Sequence, residues 1–327
     1  MIDLAFPNES GFTVARQHRI YTGFHHKNAL LRCNDHSTTT PRQQTAFFAK
    51  LITSMSAKLT HQQIAAFRKK ILGFYRLHGR HDLPFRHTKN PYRIAVAEMM
   101  LQQTQVDRVV PKYLNWIHVF PNWGALANAP RQKVLKTWSG LGYNRRAIYL
   151  QHMAQTIIKE YKGKLPKIPE GLLALPGIGP YTSKSILIFA FNAPLATIDT
   201  NIRRTLIHEL KLHPKTPLNT LGQIAELLVP KNASRDWHNA LMDYATLRLP
   251  KTPHIKPLSK QTRFKGSIRE IRGVIIKCLM AKKRVSIDEI ARNVSRTKTD
   301  VTKAAASLQK EKIICLHKNQ IRLAEHD

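Results

Sequence analysis

Carboxylates are scarce in this chain. Twenty Asp and Glu face 53 Lys and Arg across 327 residues, for a formal net charge of +33. Cysteine is scarcer still, with Cys33, Cys278 and Cys315 far apart from one another. Three scattered cysteines exclude a disulfide framework and offer no CxxC pair to a metal. They fit free thiols in a reducing compartment. The sixteen histidines show no HExxH-type spacing, so no metal-ligand cluster is expected. No apolar run reaches the ~18 residues of a membrane-spanning helix, and the N-terminus lacks the basic-then-apolar order of a secretion signal. No membrane partner is expected. Asp3, Glu9 and Asp35 are out of place in an organellar targeting peptide. Apolar–polar alternation, the mark of half-buried strands, is nearly missing.

Positive charge is what the chain has in excess. It amounts to +3 over 1–54, +18 over 55–250 and +12 over 251–327, so it is not confined to a tail. A field of this size selects a polyanion, and nucleic acid is the expected partner. The alternative is a basic protein kept soluble by charge or bound to ribosomes. The length suggests two domains, and a hydrophobic content of 43% supplies a real core.

Residues 1–54 show no sustained period, and 34–44 is polar and turn-like; a disordered extension is expected. Met55 opens the first organised stretch, which makes it a candidate start. From Thr60, a plausible N-cap, apolar residues at 64, 67, 71, 72 and 75 mark a helix. Helices follow near 92–102, 105–119, 131–138, 145–162, 182–191 and 218–229, with a last one in HNALMDYATLRL. The domain 55–250 is therefore all-α. Residues 251–266 are basic and Pro-containing and read as a linker or cationic strap. The unit 267–327 reads as three helices followed by a β element in CLHKNQIRL, which resembles a winged-helix domain with its third helix facing a DNA groove. A helical packing module without DNA contact is the alternative there.

The chain is organised around 175–201. Leu175-Pro176-Gly177-Ile178-Gly179 is a tight turn feeding an apolar helix that begins at Pro180. Free amides and a helix dipole at such a turn suit a phosphate. Asp199 follows about twenty residues on, in apolar surroundings and just ahead of another helix. A helix cap is its simplest role, and a cap can also be catalytic. Glu98 lies in the apolar run Ile94–Leu101. Burial there would raise its pKa toward neutrality and make it a proton donor, whereas an exposed Glu on an amphipathic helix would do nothing. One acid and one ionised carboxylate are what cleavage of a glycosidic bond requires. On DNA the base must first leave the stack. Gln102 and Gln103 at a helix junction, and Tyr143 in a glycine turn, are candidate wedges.

The runs AEMMLQQTQV (97–106), WSGLGYNRRAIYL (138–150), LPGIGPYT (175–182) and IDTNIRR (198–204) occur in one order. Together they resemble the helix-hairpin-helix DNA glycosylase superfamily, and within it MutY-type adenine DNA glycosylases. The resemblance covers about 60–250. It implies a two-lobed all-helical domain, with DNA across the cleft. Glu98 is similar to the acid that protonates adenine N7 and helps activate water. Asp199 matches the carboxylate facing the oxocarbenium ion, and Asn201 a residue that holds waters and carboxylates. Tyr181 stands where endonuclease III-type enzymes carry a lysine. A phenol cannot form a Schiff base, which implies a glycosylase without strong lyase action. Gln103, Thr104, Leu141 and Tyr143 match residues around the lesion pair. The amides of Gly177, Ile178 and Gly179 would grip a phosphate, with a possible monovalent cation.

Two departures stand out. Met242-Asp243 is present, but Leu249 stands where the family's first cluster cysteine falls, and no cysteine occurs between 34 and 277. A form without the iron–sulfur cluster, and with no other cofactor, is expected. The C-terminal unit is also shorter than the family's Nudix-like reader of 8-oxoguanine. The expected function is excision of adenine opposite 8-oxoguanine or guanine in double-stranded DNA, by a monomer. Release of thymine or uracil opposite guanine, or damage binding without catalysis, are the alternatives. The expected location is the bacterial cytoplasm and nucleoid, or a eukaryotic nucleus or organelle.

Overall fold

The computed structural model describes residues 59–250, 255, 257–258 and 263–324. The expectations for 1–54, and for much of the 251–266 strap, lie outside these residues. Helix α1 (His61–His78) opens on a capping box. The Thr60 N–H donates to Gln63 Oε1 at 2.9 Å, and Gln63 N–H donates back to Thr60 Oγ1 at 3.2 Å. The helix stops at Gly79, ahead of a 3₁₀ turn at Pro84–Arg86. Helix α2 (Pro91–Leu101) starts on Asn90, whose Oδ1 accepts from the N–H groups of Tyr92 and Arg93. It is buried nearly all round, from Ile94 to Met100, with Glu98 the charged residue in that run.

The first lobe continues with α3 (Val106–Val119), α4 (Trp123–Ala127), α5 (Arg131–Trp138), α6 (Arg145–Tyr161), α7 (Pro169–Leu173) and α8 (Pro180–Phe191). Its core holds Trp116, Trp138, Met99, Met100 and Met153. Helices α4 and α7 span five residues each, too few to show a helical period in sequence. The second lobe is α9 (Thr200–Glu209), α10 (Leu218–Leu228), α11 (Ser234–Asp243) and a wide turn over Tyr244–Arg248, with α1 packed among them around Trp237. Chain order thus returns to the first helix, as a two-lobed domain requires. Buried Asp243 fastens the joint. It accepts from Arg80 N–H at 2.8 Å and from both Nη of Arg86 at 2.6 and 2.9 Å. Burial pushes this carboxyl up, but Arg86 and Arg80 outweigh it and hold it below the usual range.

The C-terminal unit runs α12 (Ile268–Ala281), β1 (Arg284–Ser286), α13 (Ile287–Val294), α14 (Lys298–Lys310), β2 (Ile314–His317) and β3 (Gln320–Leu323). The antiparallel sheet has order β1-β3-β2, with Val285 and Leu316 both opposite Ile321. This is the winged-helix order. The hairpin was legible in CLHKNQIRL. Strand β1 was not, because three residues show no alternation, and Ser286 at its end already caps α13. The unit is docked on the first lobe. Leu135 of α5 and Ile148 of α6 are part of its core. Arg131 Nη1 donates to Lys312 O at 2.9 Å, and Gln132 Nε2 donates to Met280 O at 3.3 Å.

Candidate active site

Three elements converge on one place: the middle of α2, the first two turns of α8 and the N-terminus of α9. Asp199 is the N-cap of α9, in extended conformation, and its Oδ1 accepts from Ile202 N–H at 2.6 Å. Asn201 Nδ2 donates to Oδ2 at 3.5 Å. The segment leading to it is held by buried His238. Its Nδ1 donates to Ser234 O at 2.7 Å and its Nε2 accepts from Thr197 N–H at 3.4 Å. That arrangement needs the neutral ring, and burial pushes its pKa down to about 4. Cap and candidate catalyst therefore coincide in Asp199. Burial raises its pKa, while the amides of Ile202 and Asn201 work against the rise by favouring the anion.

Glu98 keeps some solvent contact but lies deep between α2 and α8. Burial pushes its carboxyl up to about 7; the Ser185 hydroxyl opposes the shift and the nearby Asp199 charge adds to it. The Tyr181 phenol is pushed well above its usual value by burial and by the charges of Glu98 and Asp199. One carboxyl is thus a proton donor near neutrality, and the other is cradled by N–H donors as an anion. This division suits acid-assisted cleavage with charge stabilisation on the opposite side. Ser185 stands one turn beyond Tyr181 on α8, fully buried. Its Oγ acts on both Glu98 and Tyr181, yet meets no partner with ordinary hydrogen-bond geometry. Sequence reasoning passed over it. The signal was its spacing of four from Tyr181, which puts both on one helix face.

Around this centre the other named residues divide. Gln102 turns inward, its Nε2 donating to Thr182 Oγ1 at 3.1 Å, so it ties α2 to α8. Gln103 is exposed, with φ of 55°. Leu141 departs from expectation. It is 4% exposed and belongs to the first-lobe core, so it does not reach a DNA surface. Positive φ at Gly140 and Gly142 turns the chain sharply on either side of it, and an apolar side chain takes the inward position. Tyr143 points out at 39% exposure, itself at φ of 48°. Arg146, also missed in the sequence, looked like one of a surface pair. It is buried, and its guanidinium donates to the carbonyls of Met99, Met100, Gln102, Leu141 and Gly142 and to Thr104 Oγ1. It lies over the rings of Trp138 and Tyr143. One cation thereby joins the end of α2 to the 139–144 turn.

In the hairpin, Gly177 has φ of 79°, and a Cβ there would meet Tyr149 atoms at 2.7–2.9 Å. The Ile178 N–H is already donated to Leu175 O at 3.3 Å. A phosphate at this turn would therefore meet the Gly177 and Gly179 amides rather than all three expected. The iron–sulfur cluster implied by the family does not fit the residues present. Leu249 packs partly buried against the second-lobe core, and Cys278 and Cys315 are free thiols in the C-terminal unit. Among the described residues no group of three or more His, Cys, Asp or Glu could hold a metal, and such a cluster needs four thiolates where this chain has three cysteines in all.

Comparison with known proteins agrees with this geometry. The HhH-GPD superfamily of base excision DNA repair proteins matches residues 96–230. An adenine DNA glycosylase of Mycolicibacterium smegmatis is 35% identical over 224 residues, covering 62% of this chain and 76% of the relative. An adenine DNA glycosylase of Buchnera aphidicola is 36% identical, covering 55% of this chain and 52% of its own; the human one is 33% identical, covering 58% and 37%. The chain thus spans about half, or less, of these last two relatives. Among solved structures, a thermostable thymine-DNA glycosylase aligns with TM-score 0.55 and 28% identity, over 60% of this chain and 93% of that one. A non-covalent endonuclease III–DNA complex aligns with TM-score 0.51 at 18% identity, a likeness of fold.

Proposed function

The chain belongs to the helix-hairpin-helix superfamily of base excision DNA glycosylases, in its MutY-type branch, and on that premise we propose that it hydrolyses the N-glycosidic bond of adenine mispaired with 8-oxoguanine or guanine in duplex DNA. The carrying observation is the convergence of Glu98, Tyr181 and Asp199, with a carboxylic acid of pKa about 7 beside a carboxylate capped by amides. The adenine leaves the stack and enters between α2 and α8, while the Gly177 and Gly179 amides hold a phosphate, with or without a monovalent cation. Glu98 gives its proton to adenine N7. The glycosidic bond breaks, its electron pair leaving with the neutral base. Asp199, kept anionic by Ile202 and Asn201, stabilises the oxocarbenium ion. Water adds to the sugar, with Asn201 helping to place it and Glu98, now a carboxylate, taking its proton. Tyr181 has no amine to open the sugar, so the product is an intact abasic site. We read the enzyme as free of an iron–sulfur cluster.

The thymine-DNA glycosylase likeness favours a second reading, release of thymine or uracil opposite guanine. Single-turnover release from A:8-oxoguanine, A:G, T:G and U:G duplexes separates the two. Adenine release, with strand scission only after alkali, is the expected result; thymine or uracil release moves the protein to the second reading. Scission without alkali would mean that an amine elsewhere attacks the sugar. Asp199→Asn is expected to keep DNA affinity and to lose roughly 100-fold or more in rate. Unchanged release by that variant removes Asp199 from the mechanism.

A further inference from the structure

Tyr143 does not stand alone. Arg269, in the first turn of α12, donates from Nη1 to the Tyr143 hydroxyl at 2.7 Å. The same guanidinium lies 5.5 Å from the Tyr143 ring centre and 5.9 Å from that of Phe264. Phe264 is 58% exposed. An open ring–cation–ring row therefore runs from the catalytic domain onto the C-terminal unit.

We propose that Tyr143, Arg269 and Phe264 form one composite edge that reads the base opposite the nucleotide drawn into the Glu98–Asp199 pocket. The inference rests on the reading of that pocket as a seat for a flipped base. Its geometry is local to the pocket mouth. Arg146 binds the Tyr143 turn and the end of α2 into one piece, so the row lies beside the helix that carries Glu98. A base that swings into the pocket leaves its former partner unpaired, next to whatever borders the mouth. Stacking rings and a guanidinium suit such an orphaned base, since every base has a π-face and Arg favours the O6 and N7 acceptors of guanine-type bases.

The row is built to hold its shape. The αL conformation of Tyr143 is unfavourable for a side chain, and Arg146 and Arg269 flank its ring. The C-terminal unit is fixed to α5 and α6 by the shared core at Leu135 and Ile148, by Arg131 and Gln132, and by Glu311. The last takes Arg272 in a forked pair and Arg145 at 3.6 Å. Phe264 and Arg269 thus face the Tyr143 turn as parts of one surface. The specificity assigned is for a guanine-type base over a pyrimidine.

The test uses the full chain, as wild type, Arg269→Gln and Phe264→Ala. Each is titrated by fluorescence anisotropy with duplexes carrying an uncleavable abasic analogue opposite guanine, 8-oxoguanine, cytosine or thymine. Wild type is expected to prefer the two guanine-type partners. Each variant is expected to lose roughly 5- to 10-fold in affinity for those and no more than about 2-fold for the pyrimidines. Phe264 is largely exposed, so its truncation leaves the fold intact. A wild type indifferent to the opposite base, variants that match it, or equal loss on all four duplexes would overturn the edge. Adenine release by wild type is measured beside it. Release with binding indifferent to both substitutions sinks this inference alone, whereas discrimination without release from any duplex sinks the reading of the pocket as an enzyme site.

Discussion

Glu98 is an acid because of where α2 puts it. Asn90 and Pro91 start the helix, and its apolar periphery leaves the carboxyl facing α8 instead of water. A general acid with pKa about 7 loses its proton as pH rises, so single-turnover excision should decline above about pH 7 along a limb set by Glu98. Glu98→Gln should abolish that limb with the activity. Ser185→Ala gives the finer test. The hydroxyl favours the Glu98 carboxylate, so its loss should move the descending limb to higher pH with the substrate affinity unchanged. A limb that stays in place after Ser185→Ala would mean that the hydroxyl does not act on Glu98. How far this site could be read from sequence follows from the residues themselves. Glu98 and Asp199 stood out as carboxylates in apolar runs of a carboxylate-poor chain. Ser185 and Arg146 did not, because serine in a helix and arginine in a basic chain carry no contrast; only the folded neighbours give them a role.

Among the elements, the hairpin between α7 and α8 shows two glycines present for different reasons. Gly177 has φ of 79° and Tyr149 against the place of its Cβ, whereas Gly179 has φ of −104° and nothing within 4 Å. Gly177→Ala combines a left-handed alanine with overpacking and should destabilise the fold by roughly 2–4 kcal/mol, read from the urea midpoint. Gly179→Ala should stay within about 0.5 kcal/mol of wild type and instead weaken DNA binding, because the space its methyl fills lies on the open side of the turn. Equal stability losses would show that the two positions share one constraint. Elements with a full helical period, such as α3 and α6, were legible in sequence nearly to their ends. The five-residue helices and the three-residue β1 were not, since periodicity needs more residues than they contain. The inward turn of Leu141 was also hidden, for it depends on the φ of its glycine neighbours.

For the molecule as a whole, buried titratable groups in the two lobes pull stability in opposite directions. Glu98 belongs to the first lobe, and its pKa rises from 4.5 to about 7 on folding. Between those values the folded state holds a proton that the unfolded chain has lost, so stability declines as pH rises through the window, by on the order of 3 kcal/mol in all. Buried Asp199 is shifted in the same direction. His238 lies against the second lobe, and its pKa falls from 6.5 to about 4. Here the unfolded chain holds the extra proton, so stability rises from pH 4 to pH 6.5 by a similar amount. Asp243, lowered from 3.8, acts below both windows. The two slopes oppose each other between pH 4.5 and 6.5, and urea unfolding of the wild type should give a shallow profile there. Glu98→Gln keeps the shape and removes the titration. Its stability should match wild type near pH 4.5, climb toward pH 6.5 as His238 is left unopposed, and exceed wild type by on the order of 3 kcal/mol above pH 7. A variant whose profile runs parallel to wild type from pH 4.5 to 8 would mean that Glu98 titrates as an ordinary exposed carboxylate. That would remove the physical basis for its acid role, since the burial that destabilises the fold at high pH is the same burial that keeps its proton available at neutrality.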